Sequence, residues 1–93
     1  DYGNNLLLLT IGVGNIEITK YLLEKKFNIN STNNAERNGL HISIISNYKT
    51  LAKYLISKGI NVKKTDQNGI SPLNLAIQYN SLEVADIIMK KIK

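Results

Sequence analysis

Apolar residues recur every three to four positions in three stretches of the chain. These stretches are residues 16–25, 49–58 and 82–91. Ile18 and Leu22 show the spacing in the first stretch, and Leu51 and Leu55 show it in the second. Such a period places the apolar side chains on one face of an α-helix. The pattern therefore predicts three amphipathic helices.

A shorter apolar segment precedes each of these stretches and is bounded by residues typical of helix ends. The residues before the segments are Asn5, Asn38 and Ser71. Their side chains can accept hydrogen bonds from the free N–H groups of a first helical turn. The residues after the segments are Gly14, Asn47 and Asn80. Glycine and asparagine tolerate the left-handed conformation that ends many helices. We therefore expect three short first helices, which begin at the three cap residues.

Both kinds of helix recur with a fixed period, since Gly14, Asn47 and Asn80 lie 33 positions apart. The same spacing relates leucines at positions 7, 40 and 73 and isoleucines at positions 11, 44 and 77. Two further columns hold only small residues. They are Thr10, Ser43 and Ala76 in the first helices, and Thr19, Ala52 and Ala85 in the second helices. Small side chains allow close helix packing, and short helices depend on such neighbours for stability. The chain is thus predicted to be a stack of three helix pairs.

The individual units resemble the ankyrin repeat, and the resemblance covers essentially the whole chain. Residues 66–76, Asp-Gln-Asn-Gly-Ile-Ser-Pro-Leu-Asn-Leu-Ala, are similar to the family's Asp-x-x-Gly-x-Thr-Pro-Leu-His-x-Ala opening. His41 occupies the histidine column in the second unit, and residues 55–61 resemble the family's Leu-Leu-x-x-Gly-Ala-Asp close. The tetratricopeptide repeat, with its period of about 34, fits the period and the Asn68-Gly69 turn less well. The resemblance implies an all-α ankyrin-repeat solenoid, in which helix-turn-helix units are joined by β-hairpin-like loops.

We expect one domain that forms a segment of a longer array. Its three repeats are residues 1–32, 33–65 and 66–93. Some positions depart from the family's pattern. Glu36 and Gly39 replace a glycine and a proline, and Lys26 and Ile92 replace the glycine that Gly59 represents. These departures predict an irregular turn between the first two units and different ends for two of the second helices.

Composition removes most catalytic chemistry from consideration. The chain has no cysteine, and His41 is its single histidine, so it offers no thiolate nucleophile and too few imidazoles for a histidine-based metal site or catalytic triad. The string Gly12-Val13-Gly14 lacks the preceding strand and the third glycine of a dinucleotide site. We therefore predict a non-enzymatic protein without catalytic residues, cofactor, metal or small-molecule substrate.

The longest apolar run, residues 6–9, is too short to span a membrane. We expect an intracellular, cytoplasmic location.

The resemblance implies a scaffold that binds another protein on a concave face, formed by the hairpin tips and the exposed ends of the first helices. Apolar residues such as Val13, Ile45 and Tyr79 at these places are typical of a protein-binding surface. The candidate partner-binding residues carried over by position are Tyr2, Asn4, Val13, Asn34, Ala35, Arg37, Ile45, Ser46, Gln67, Asn68, Ile70, Gln78 and Tyr79.

Two alternatives remain open. The net charge is +5, and Lys25, Lys58 and Lys91 share one column, so they could form a ridge for an acidic or polyanionic partner. A helix dipole also explains lysines at helix C-termini, and a single arginine disfavours nucleic acid. In the other alternative the chain is a structural spacer within a larger solenoid. Exposed leucines at positions 6, 8 and 9 would then be covered by an earlier repeat or promote self-association.

Overall fold

The computed structural model describes the backbone of residues 2–92 and the side chains of residues 6–92. This range contains six helices and no strand. The helices are α1 (Tyr2–Gly12), α2 (Ile16–Glu24), α3 (Gly39–Ile45), α4 (Lys49–Ser57), α5 (Pro72–Gln78) and α6 (Leu82–Ile92). Each odd-numbered helix packs against the next, and α1, α3 and α5 stack on one another. On the outer side, α4 packs against α6, whereas α2 and α4 make few contacts. The predicted all-α stack is confirmed.

The predicted N-caps of the first helices in the second and third units are present. Asn38 accepts hydrogen bonds from the backbone of Leu40 and His41, and Ser71 accepts one from Asn74. Pro72 follows Ser71 at the first helical position, where a missing N–H costs nothing. The predicted C-terminal ends of α1, α3 and α5 are also confirmed. Gly14, Asn47 and Asn80 adopt the left-handed conformation, with φ angles of 76°, 62° and 58°.

The first unit departs from this plan. Helix α1 begins at Tyr2, so Asn5 lies inside the helix and does not cap it. The loop before α5 is held by a hydrogen bond from the Gln67 N–H to the Ala35 carbonyl of the previous loop. In the described residues no earlier loop offers such a bond to residues 2–5, and these residues instead extend α1, in which their carbonyl groups can accept the first intrahelical hydrogen bonds. The prediction that this helix begins at Asn5 is therefore wrong.

The expected irregularity of the first turn is also wrong. Glu36 adopts a φ of 62°, close to the 78° of Gly69 one unit later. The turn therefore closes as the next one does, at the cost of placing a non-glycine residue in a sparsely populated region. Lys26 likewise adopts a φ of 74°, in the region that Gly59 occupies. Ile92 is different, because it is still helical at the end of α6.

The core runs along the stack. Its largest fully buried members include Leu7, Ile11 and Leu40. Both predicted columns of small residues are buried, and the hydroxyls of Thr10 and Thr19 lie 3.1 Å apart where α1 meets α2. Side chains this small allow the backbones of neighbouring helices to approach closely. The core thus consists of contacts between neighbouring units, as the period predicts.

Candidate functional site

The loops before α3 and α5 are built by one hydrogen-bonding pattern. The side-chain oxygen of Asn33 accepts from the backbone N–H groups of Ala35 and Arg37, at 2.9 and 3.0 Å. Asp66 accepts in the same way from Asn68 and Ile70, at 2.9 and 3.0 Å. A side chain that satisfies two backbone donors stabilises a tight turn. Each loop therefore projects as a defined, hairpin-like tip.

The two tips are also bonded to each other. The Gln67 N–H donates to the Ala35 carbonyl at 2.9 Å, and the Arg37 guanidinium donates to the Asp66 carboxylate at 3.3 Å. The backbone N–H of Ile70 is the main cause that lowers the pKa of Asp66, and Asn68 and Arg37 add to the effect. Asp66 is thus an ionised acceptor at neutral pH. The second and third tips form one continuous edge.

His41, in α3, links this edge to the helices through hydrogen bonds of its buried ring. Its imidazole is fully buried, and its Nδ1 accepts a hydrogen bond from the backbone N–H of Asn38 at 3.2 Å. Since Nδ1 accepts, Nε2 carries the proton and donates it to the Ile70 carbonyl at 3.0 Å. Burial lowers the pKa of His41, which favours the neutral ring that this arrangement needs. The contacts of His41 are therefore structural.

The candidate partner-binding residues differ in how accessible they are. Val13 and Tyr79 are 64% and 48% exposed, and the polar candidates Asn34, Ser46, Gln67, Asn68 and Gln78 are exposed as well. Four others are half-buried, namely Ala35, Arg37, Ile45 and Ile70. The isoleucines among them pack against the core.

Tyr2 and Asn4 form the remaining pair of candidates, and their side chains lie outside the described part of the structure. Their backbone lies in α1. The expectation that these two residues form a hairpin tip is therefore wrong.

The predicted lysine column is exposed in all three units. Lys25 and Lys58 are the C-cap residues of α2 and α4, and Lys91 lies in the last turn of α6. These positions agree with the dipole explanation. Two of the three ammonium groups also lie near tyrosine rings, at 5.4 Å for Lys25 and Tyr21 and 5.7 Å for Lys58 and Tyr54.

Both ends of the stack expose apolar side chains in columns that are buried elsewhere. Leu9 is 63% exposed, whereas its equivalent Leu75 is 4% exposed. At the other end, Ile77 is 57% exposed, whereas its equivalent Ile44 is 2% exposed. Leu6 is also exposed. Leu8 is buried, so the prediction that Leu8 is exposed with its neighbours is wrong. Within the described stack, the side chains of these columns are buried where a neighbouring unit covers them.

A groove that sequence analysis missed lies where α2 and α4 separate. It has a volume of about 470 Å³ and is lined by Lys20, Leu23, Phe27, Tyr54 and Lys58, among others. Lys20 belongs to the first unit and Tyr54 to the second, so residues 34 positions apart meet here. Only the separation of the two helices, which the periodicity does not reveal, creates this groove.

Comparison with known families agrees with this architecture. A family model described as ankyrin repeats, in three copies, matches residues 6–93. The chain belongs to the ankyrin repeat family. Members of this family are generally modules for protein–protein interaction and are generally not enzymes. No curated protein matches the chain. Among the described residues, no helix is long and apolar enough to cross a membrane, and no cluster of three potential metal-binding side chains occurs.

Proposed function

We propose that this chain binds a partner protein on the concave face formed by its hairpin tips and the exposed ends of its first helices. The observation that carries the proposal is the bonded edge of the second and third tips. Bonds between Gln67 and Ala35 and between His41 and Ile70 hold this edge in one shape before any partner arrives. A preorganised surface loses less conformational entropy on binding.

Exposed side chains beside this edge supply the contact area. Tyr79 follows α5 directly, and Val13 follows α1, so each stands at the end of a first helix. Tyrosine is among the residues that most often dominate binding energy. Asn68 and Gln67 add exposed hydrogen-bonding groups at the third tip. This mixture of apolar and polar groups is typical of a non-obligate interface.

The test compares two double variants of the whole chain. Val13→Ser with Tyr79→Ser removes exposed apolar groups from the proposed face. Tyr21→Ser with Leu82→Ser removes similar groups elsewhere, because these residues are 56% and 64% exposed. We prefer these changes to substitution of Ile45 and Ile70, whose contacts with the core would also be lost.

Affinity capture followed by mass spectrometry, then calorimetry with the partner found, provides the measurement. The wild-type chain and the Tyr21/Leu82 variant should retain the same partner. The Val13/Tyr79 variant should bind it about tenfold or more weakly, as expected for a buried aromatic contact. Equal affinity of the two variants would show that the concave face is not the binding surface.

The open ends favour a second candidate, a spacer within a larger solenoid. Lys49 and Lys53 of the second unit pair with Glu83 of the third, and this pairing lowers the pKa of Glu83. Glu17 occupies the position of Glu83 at the open N-terminal end. An earlier unit with a lysine in the column of Lys53 would therefore complete both the apolar and the ionic contacts.

A second copy of the chain would complete the ionic contact poorly, because Asp86 occupies the position of Lys53 in the last unit. End-to-end stacking of copies would bring Glu17 close to Asp86. Sedimentation velocity of the wild type and of Glu17→Lys tests this reading. The variant should self-associate more strongly, since the repulsion becomes an attraction. If the wild type and the variant are both monomeric, the apolar ends do not drive association and the spacer candidate loses its support.

A further inference from the structure

We propose that the groove between α2 and α4 binds an acidic peptide segment with one apolar side chain at its centre. The groove is lined by second helices and the loop after α2, not by hairpin tips or first helices. It is therefore a surface separate from the concave face. A partner could occupy either surface alone, and the two proposals can fail independently.

The floor of the groove is apolar. Leu23, Phe27 and Ile29 line it, and all three are half-buried and pack against the core. The volume of about 470 Å³ lies within the range of clefts that hold small ligands. One aliphatic or aromatic side chain could therefore be buried there, in contact with groups that the fold already holds in place.

The rim of the groove is cationic. The Nζ atoms of Lys20 and Lys58 lie 5.2 and 5.7 Å from the centre of the Tyr54 ring. Lys26 also lines the groove, and Glu24 is the one acidic residue in the lining. Among the described residues, none of these three lysines forms a salt bridge, whereas Lys49, Lys53 and Lys64 do.

Both ammonium groups lie within about 6 Å of the centre of one ring, so two positive charges are held at the same part of the groove. A carboxylate placed between Lys20 and Lys58 would attract both. The groove thus offers an apolar floor to one side chain and positive charge to the residues that flank it. These are the features that would select an acidic segment with a central apolar residue.

The same geometry disfavours a nucleic acid as the occupant. Single-stranded nucleic acids bind through bases that stack on open aromatic faces. Tyr54 is half-buried and has lysines near its ring, and Phe27 is half-buried in the floor. Little aromatic surface remains for a base.

The experiment measures binding of a fluorescein-labelled peptide, in which one leucine is flanked on both sides by aspartate and glutamate, by fluorescence anisotropy. Lys20→Gln with Lys58→Gln removes two charges from the groove. Lys63→Gln with Lys91→Gln removes two exposed charges elsewhere and serves as the control. Circular dichroism establishes that both variants fold. Because all four lysines are exposed, both should retain the wild-type helix content.

We expect the groove variant to bind about tenfold more weakly than the wild type, and the control to bind within about twofold. Affinity should also fall as salt is added. Lys26→Gln alone should weaken binding by a smaller factor. A peptide with asparagine and glutamine in place of the acids should not bind measurably.

Three results would overturn the proposal. The first is equal loss of affinity in the groove variant and the control, which would indicate net charge alone. The second is equal binding of the neutral peptide. The third is tighter binding of a single-stranded oligouridine than of the acidic peptide, with the same dependence on Lys20 and Lys58, which would make the occupant a nucleic acid.

Discussion

Gly39 lies at the start of α3, in a position where space and not backbone conformation requires glycine. A methyl group built there would lie 2.6 Å from Cδ1 of Ile11 and 3.4 Å from Cδ1 of Leu55. Carbon atoms in favourable contact are about 3.5–4.0 Å apart, so the Ile11 methyl would have to move by about 1 Å. Ile11 is fully buried and has little room to do so. We therefore predict that Gly39→Ala destabilises the protein.

The size of the effect follows from two opposing contributions. Overpacking a core costs about 1–3 kcal/mol. Replacing glycine by alanine at a compatible backbone position stabilises by about 0.4–1 kcal/mol, because the unfolded chain loses freedom. The difference of the two ranges is a net loss of about 0–2.6 kcal/mol, centred on about 1.3 kcal/mol. Ile11→Val, which removes the obstructing methyl group, should cost about 0.5–1.5 kcal/mol by itself.

The double variant provides the decisive measurement. If the alanine methyl occupies the space that Ile11→Val vacates, the two losses should not add, and the coupling should be about 1–2 kcal/mol. Urea unfolding followed by circular dichroism gives the free energies of unfolding. Gly12→Ala is the control, because its nearest neighbour, Cγ2 of Ile42, would be 3.9 Å away. It should leave stability unchanged or raise it. Additive losses at Gly39 and Ile11 would refute the reasoning.

Three further predictions concern stability. Ala52→Leu should cost about 1–3 kcal/mol in urea unfolding, because Ala52 is fully buried in the column of small residues, and an unchanged midpoint would contradict the close packing. Asn47→Ala should cost about 1 kcal/mol or more in thermal unfolding, whereas Asn47→Gly should not, because φ is 62° there. Burial lowers the pKa of His41 below its ordinary 6.5, so the unfolded state takes up the proton first on acidification. Stability should therefore be constant above about pH 6.5 and fall below it, and His41→Gln should abolish that fall. A fall that persists in the variant would assign it to other groups.

The repeating pattern of the sequence determined most of the fold, because each unit repeats the same local instructions. Cap residues such as Asn38 and Ser71, and left-handed positions such as Asn47, act through bonds within a few residues of themselves. Such short-range signals can be read without knowledge of the rest of the chain. For the same reason the ankyrin family could be identified from motifs alone.

Predictions failed where a residue's surroundings decide its conformation. Glu36 and Lys26 adopt left-handed backbone without glycine, because the surrounding hydrogen bonds hold the turn closed. Leu8 is buried while Leu9 beside it is exposed, and this difference depends on which side of α1 meets another helix. No local signal in the sequence distinguishes these cases.

The sequence by itself therefore determined the period, the helices and the class of protein. Tertiary structure alone decided which columns lie open at the ends, how the hairpin tips join, and where α2 and α4 part to leave a basic groove beside Tyr54. The physical reason is the range of the interactions. Capping and turn formation act over a few residues, whereas exposure, cavities and the meeting of Lys20 with Tyr54 depend on how separate units pack.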